Sequence, residues 1–300
     1  MKGWLVNDRL TCIPGTKTLW HDLLEWIPGL EDPINGFVPF NYLREYINQK
    51  SQAEGRPDFV VRNCTFFPPL ELETKTVSIL QDIYDGQEKQ NQIKVANLSD
   101  LVIYNSKFTK SFYKDEITTR SEVIPLGIDF DHFQPTDARD PEVLPQSVLF
   151  IGAANDYPKG FNVVRELVDR TQYNFCLVMK DDFSWDHPRV KVFNNVDHKR
   201  LVTIINSCAV TICTSVHETQ HLAGLECAAC NIPIVATNVG CYHGLSSGVW
   251  GKKAIDTSDF IVGIHDVLRK QGTYSPRSFF KDYDKEIIKD KWRTAIESIV

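Results

Sequence analysis

Between Thr214 and Gly240 the chain reads TSVHETQHLAGLECAACNIPIVATNVG. Two carboxylates, Glu218 and Glu226, stand with seven residues between them, and a Cys-x-x-Cys pair, Cys227 and Cys230, follows the second. Paired carboxylates can serve as acid and base or accept hydrogen bonds from substrate hydroxyls. Paired cysteines can be redox-active or bind zinc, but no second pair completes a zinc site, so these two read as packing residues of a helix. The third chemistry belongs to the backbone. The strand AVTICTS ends, VHETQH turns, and a helix opens near Leu222. The free N–H groups at the positive end of that helix suit an anion such as a phosphate. His217 reads as peripheral, and His221 falls in the turn itself.

These groups need a scaffold that gathers loops and helix starts on one edge. Short apolar runs alternate with amphipathic ones along nearly the whole chain, the pattern of parallel α/β sheets. GWLVN, DFVVRN, KTVSILQ and SEVIPLGI read as strands of a first half, with CIPGTKT as a turn and TLWHDLLEWIPG as a helix; KVANLSDLVIYNSKFTKSFY reads as helix, strand, helix. DFDHFQPTDARDPEVLPQ, rich in proline and aspartate, reads as a linker. SVLFIGA, YNFCLVMK, RVKVFN, AVTICTS and IPIVATN are the strands of a second half, with helices at KGFNVVRELVDR, HKRLVTIINSC and DTSDFIVGIHDVLRK. The expected domains are 1–140, 141–275, and a helical stretch at 276–300. Ligands of such sheets sit beyond the carboxyl ends of the strands, here in a cleft between the halves.

The 300 residues carry a net charge of −6, which counts against a stable nucleic-acid partner. No apolar run reaches the roughly 20 residues of a membrane span, and the start is too short for a signal peptide. The eight cysteines are scattered through apolar segments, so the expectation is a cytoplasmic chain with reduced thiols. Neither a Gly-x-Gly-x-x-Gly after the first strand nor a P-loop is present, which argues against a dinucleotide oxidoreductase and a P-loop nucleotidase.

Four stretches, in order, resemble the retaining glycosyltransferases of family 4. They are SDLVIYNSKFTKSFY, VIPLGIDFDHFQP, LFIGAANDYPKGFNVVRELV and the Glu-x7-Glu segment with IPIVATNVG. The resemblance implies the GT-B fold, an α/β architecture of two Rossmann-like domains facing a central cleft, and sugar transfer from a nucleotide-sugar donor with retention of anomeric configuration. It implies no cofactor and no required metal, so Asp129, Asp131, Asp282 and Asp284 are not read as metal ligands. By the same resemblance Glu218 and Lys159 are catalytic. Glu226 accepts from the donor ribose, and the backbone at His221, Leu222 and Ala223 meets the phosphates. The turn Gly15-Thr16 reaches towards the donor, and the base pocket lies near Phe193 and Asn194. The acceptor could be a sugar, a lipid-linked group, a protein or a modified nucleobase.

The sequence departs from that family at three places. Ala153 stands where an arginine usually follows the glycine of the first strand turn. Thr219-Gln220-His221 replaces Gly-Phe-Gly, and Gln81-Asp82 stands where a histidine often precedes the aspartate. Arg9, Lys17 and Arg62 are candidates for the missing cation. Two further readings follow: a catalytically weak GT-B protein that binds a nucleotide sugar or glycan, and a transferase acting on modified bases in DNA.

Overall fold

A computed structural model describes residues 1–7, 14–34, 42–63, 70 and 72–300, without the side chains of 7, 14–17 and 63. Arg9 and the aromatic loop TFFPP therefore lie outside the described residues, as do Cys12 and Cys64. The chain divides into two compact units, Met1–Leu126 with Glu286–Val300, and Gly127–Lys285.

In the first unit β1 (Gly3–Asn7), α1 (Pro14–Trp26), β2 (Leu30–Glu31), α2 (Leu43–Glu54), β3 (Phe59–Asn63), β4 (Lys75–Leu80), α3 (Gly86–Asn97), β5 (Leu101–Tyr104), α4 (Lys107–Phe112) and β6 (Ser121–Val123) follow in order. The six strands form one parallel sheet in the order β2-β1-β3-β4-β5-β6. Trp4, Leu5, Val6, Val60, Val61 and Val102 are fully buried. Strands covered on both faces must be apolar at every position, which is why they read as continuous rather than alternating runs.

The expected turn at Gly15-Thr16 is corrected by the structure. Both residues belong to the first turn of α1, which opens on Pro14; proline suits that position because the first amide of a helix has no internal partner. Lys17 lies in the same turn, and Arg62 is 1 % exposed within β3.

The second unit runs β7 (Val148–Gly152), a 3₁₀ turn (Tyr157–Lys159), α5 (Phe161–Arg170), β8 (Phe175–Met179), β9 (Val190–Asn194), α6 (His198–Ser207), β10 (Val210–Cys213), α7 (Leu222–Ala229), β11 (Ile234–Ala236), β12 (Gly251–Lys253), α8 (Thr257–Arg269) and α9 (Pro276–Phe279). Its sheet is also fully parallel, in the order β9-β8-β7-β10-β11-β12. Counted from β7 this is 3-2-1-4-5-6, the Rossmann order, with its reversal between β7 and β10.

The stretch read as a linker is packed into this second unit. Phe130 and Phe133 join its core, and Asp140 forms an ion pair with Arg200 at 2.9 Å. Arg277 explains the attachment: its guanidinium donates to the carbonyls of Phe130 and Phe133 and caps the Ala229 carbonyl at the end of α7. The final helix α10 (Lys285–Glu297) buries Ile288, Trp292, Ala295 and Ile296, and Arg293 donates to the Trp26 carbonyl at 2.9 Å within the first unit. Among the described residues no helix is long and apolar enough to cross a membrane.

Candidate functional site

The reversal between β7 and β10 opens a crevice at the carboxyl edge of the second sheet. β7 leads into the 3₁₀ turn that ends on Lys159, and β10 leads into the segment carrying Glu218. Two hydrogen bonds bring these loops together: Val216 N–H donates to the Pro158 carbonyl at 2.8 Å, and Thr214 Oγ1 donates to the Lys159 carbonyl at 2.8 Å. Gly160 makes the approach possible. It has φ +65°, and a Cβ there would lie 2.1 Å from the Thr214 carbonyl oxygen. Every other residue type would both strain the backbone and push β10 away.

The result is an ion pair across the reversal. Lys159 Nζ donates to Glu218 Oε2 at 2.5 Å, with both side chains largely covered. Burial opposes each charge, but the partner's charge and the hydrogen bond outweigh it. Lys159 is held above the ordinary lysine pKa and Glu218 below the ordinary glutamate value, the latter helped by His221 and its main-chain N–H. Both groups stay charged at neutral pH.

α7 starts beside them. Its first residue is preceded by His221 at φ 68° and ψ 68°, the left-handed region, and the imidazole does not cap the helix. A glycine would hold this geometry without strain. The loop after β11 supports the turn from below: Cys241 N–H donates to the Gln220 carbonyl at 3.1 Å, and Thr237 Oγ1 donates to the Ser215 carbonyl at 2.6 Å.

Glu226, one turn into α7, is partly buried, and among the described residues no donor or cation meets its carboxyl group. Burial alone pushes its pKa to about 7. A carboxyl in this state is a costly feature unless a ligand supplies the missing donors. The neighbouring Cys227 and Cys230 are free, buried thiols in the core, as are Cys176, Cys208, Cys213 and Cys241. Burial raises both pKa values, so the pair holds protonated, unreactive thiols.

The structure thus brings Lys159, Glu218, His221, Leu222, Ala223 and Glu226 into one place. Ala153 lies just past β7, partly covered. Phe193 stands apart: β9 is separated from β10 by β7 and β8, so its end lies roughly 14 Å across the sheet at ordinary strand spacing. The Phe193 ring is buried beneath the Arg200 guanidinium, 5.0 Å from its centroid, and Asn194 Nδ2 donates to the Phe183 carbonyl at 2.9 Å. Sequence reasoning missed Tyr242, whose hydroxyl meets His221 Nδ1 at 2.9 Å. It follows a glycine in VGCYHG, where no periodicity marks it. Asp129 is engaged structurally, pairing with Lys285 at 2.5 Å and accepting from the amides of Asp131 and His132.

Residues 145–269, from the start of β7 through α8, match the model of the family described as Glycosyl transferases group 1. No curated protein matches the sequence. Solved structures do. HepE of Anabaena, solved in complex with UDP, is 14 % identical, with 99 % of this chain and 100 % of that chain covered and a TM-score of 0.77. The lipopolysaccharide outer core galactosyltransferase WaaB is 12 % identical, with 100 % of both chains covered and a TM-score of 0.75. A glycosyltransferase from Rickettsia africae is 14 % identical over 99 % of this chain and 97 % of that chain, with a TM-score of 0.75. The fold is GT-B. At such identities the likeness is one of fold, and the GT-B chain's chemistry must be argued from its own site.

Proposed function

We propose that this GT-B chain is a glycosyltransferase that moves a sugar from a nucleotide-sugar donor to an acceptor hydroxyl with retention of configuration. One observation carries the reading. A lysine–glutamate pair, an unpartnered carboxyl and the start of a helix gather at the Rossmann reversal of the unit that the glycosyltransferase family model covers.

Each group has a part in that reaction. Ribose hydroxyls supply the donors that Glu226 lacks. The amides opening α7 and the Lys159 ammonium hold the diphosphate, whose negative charge grows as the anomeric C–O bond breaks. Glu218 accepts from hydroxyls of the donor sugar and fixes Lys159. The acceptor oxygen bonds to the anomeric carbon on the face the phosphate leaves, and the acceptor proton passes to a phosphate oxygen. Charge stabilisation and positioning therefore do the work without a covalent nucleophile, and the scheme calls for no metal. HepE has been solved with UDP-glucose, which supports a nucleoside-diphosphate sugar as the donor class. Six described cysteines, all free and buried, support a reducing, cytoplasmic setting.

One observation favours a second reading, a GT-B protein that binds such a donor and turns it over slowly. Ala153 supplies no cation, and the charge of Lys159 is balanced by Glu218. A thermal-shift panel of nucleoside diphosphates and their sugars tests donor binding, since a ligand of the folded state raises the melting temperature by mass action. Release of nucleoside diphosphate with an acceptor panel then separates the two readings. A chain that no member of the first panel stabilises is not a nucleotide-sugar protein.

A further inference from the structure

His221 combines features that packing does not account for. It occupies a left-handed backbone position where glycine would be unstrained, yet its imidazole is only 6 % exposed. Burial, with Lys159 nearby, keeps the ring neutral by lowering its pKa to about 4, against the pull of Glu218. The ring therefore lies within electrostatic range of both members of the ion pair.

Its partner is built for it. Tyr242 Oη meets Nδ1 at 2.9 Å. The phenol is stacked on Trp250, with centroids 5.4 Å apart and planes 17° apart, and meets Phe280 edge-on at 6.2 Å. A Cβ on Gly224 would fall 1.9 Å from Tyr242 Oη and 2.3 Å from His221 Nδ1, so only glycine in α7 admits the pair against the helix. Burial raises the Tyr242 pKa well above the ordinary value, so the hydroxyl keeps its proton and can donate it. With the hydroxyl donating, Nδ1 accepts and Nε2 carries the ring proton. Nε2 has no hydrogen-bond partner among the described residues, and it is not among the polar atoms sealed from solvent without a bond.

We propose that Tyr242 is a positioning residue that fixes His221 in its Nε2–H tautomer, and that Nε2–H donates to a phosphate oxygen of the nucleotide-sugar donor beside the amides opening α7. This deepens the donor-site reading and rests on it. A neutral imidazole at a helix start can stabilise charge growing on a leaving group without the desolvation cost of a buried cation. It supplies part of what Ala153 does not.

The test uses the full chain, with UDP, GDP, ADP and TDP as probes and the matching nucleosides as controls. His221→Gly relieves backbone strain and should fold with a melting temperature near or above wild type. Its affinity for the diphosphate that wild type prefers should fall about tenfold, the scale of one hydrogen bond to a charged group, while nucleoside affinity stays unchanged. Tyr242→Phe keeps the stack on Trp250 and should give a smaller loss. ¹⁵N NMR should show the Nε2–H tautomer of His221 in wild type and a mixture of tautomers in Tyr242→Phe, which decides the matter even if His221→Gly does not fold. Equal diphosphate affinity in His221→Gly and wild type overturns the inference, and so does an Nδ1–H tautomer. If Glu226→Gln then still weakens binding, the donor-site reading stands alone. Should wild type bind none of the four diphosphates, both fall together.

Discussion

The two sheets of this chain reverse their winding at different places, and the polar groups described along their carboxyl edges are held in different ways. The first sheet, in the order β2-β1-β3-β4-β5-β6, reverses between β1 and β3. The segments that follow those strands, 8–13 and 64–69, lie outside the described residues. Further along its carboxyl edge stands a network of amides and hydroxyls. Asn105 Nδ2 donates to the Gln81 carbonyl at 3.0 Å, Thr109 Oγ1 donates to Asn105 Oδ1 at 2.7 Å, and Tyr113 donates to the Asp82 carbonyl and to Gln92. Within it the Asn105 amide is matched on both sides, which is what a buried network needs in order to hold a fold. The second sheet's reversal carries charge instead, together with a carboxyl that has no described partner and a histidine held at positive φ. Satisfied groups specify structure, whereas a buried carboxyl without a partner costs stability.

The largest effect should come from the ion pair. Lys159→Ala is expected to lower turnover by roughly a hundredfold or more, the scale of losing one preorganised charge at a developing anion. Circular dichroism should meanwhile show a folded chain. Turnover at the wild-type rate would erase the distinction between the two reversals.

Glu226→Gln sharpens the comparison through pH. The folded-state pKa of about 7 stands above the ordinary 4.5, so the folded protein holds a proton that the unfolded chain has lost. The stabilisation this carboxyl contributes should be fully present below pH 4.5 and should be lost as pH rises through about 7, by roughly 1–2 kcal/mol after allowing for partial exposure. Urea titrations at pH 5 and pH 8 should show that loss in wild type and not in Glu226→Gln. Donor affinity should move the other way, strengthening as the carboxyl ionises near pH 7. A wild-type stability profile that is flat across this range would contradict a partnerless carboxyl.

In the first unit, Asn105→Ala should cost about 2 kcal/mol of stability by leaving buried partners unmatched. Donor affinity measured by calorimetry should be unchanged, and a shifted donor Kd would show that this network belongs to the binding machinery after all. The smallest effect is expected from Cys227→Ala with Cys230→Ala. Each thiol removed from the core should cost on the order of 1 kcal/mol, with turnover near wild type. Strong loss of turnover in a folded double variant would restore a redox role.

Much of this was legible in advance because α/β alternation leaves a strong signal. Fifteen-residue amphipathic runs such as DTSDFIVGIHDVLRK and wholly apolar strands such as FCLVM admit few other readings. The elements that escaped have weak signals for physical reasons. β12 is Gly251–Lys253, three residues without an apolar side chain, and β2 has only two residues; pairing with a neighbour makes them strands. α2 buries only Leu43, Ile47 and Ser51, a stripe one residue wide, so its composition reads as polar. The proline-rich stretch 129–146 looked like a tether because its prolines and aspartates are turn formers. Its attachment depends on Phe130, Phe133, Asp140 and Arg277, which are far apart in the chain.

The sequence alone determined the periodicities, and with them two parallel α/β sheets and the placement of Glu218, Glu226 and Lys159 at strand ends and a helix start. These are local properties, set by spacing and side-chain type within a dozen residues. Tertiary structure decided which strand ends are neighbours. Lys159 and Glu218 are 59 residues apart, and only the order β7-β10 and the tight passage at Gly160 bring them to 2.5 Å. It also decided which carboxyl a cation holds ionised and which one burial keeps protonated to higher pH, because charge state follows burial and the nearest partner, and neither is written in one stretch of chain.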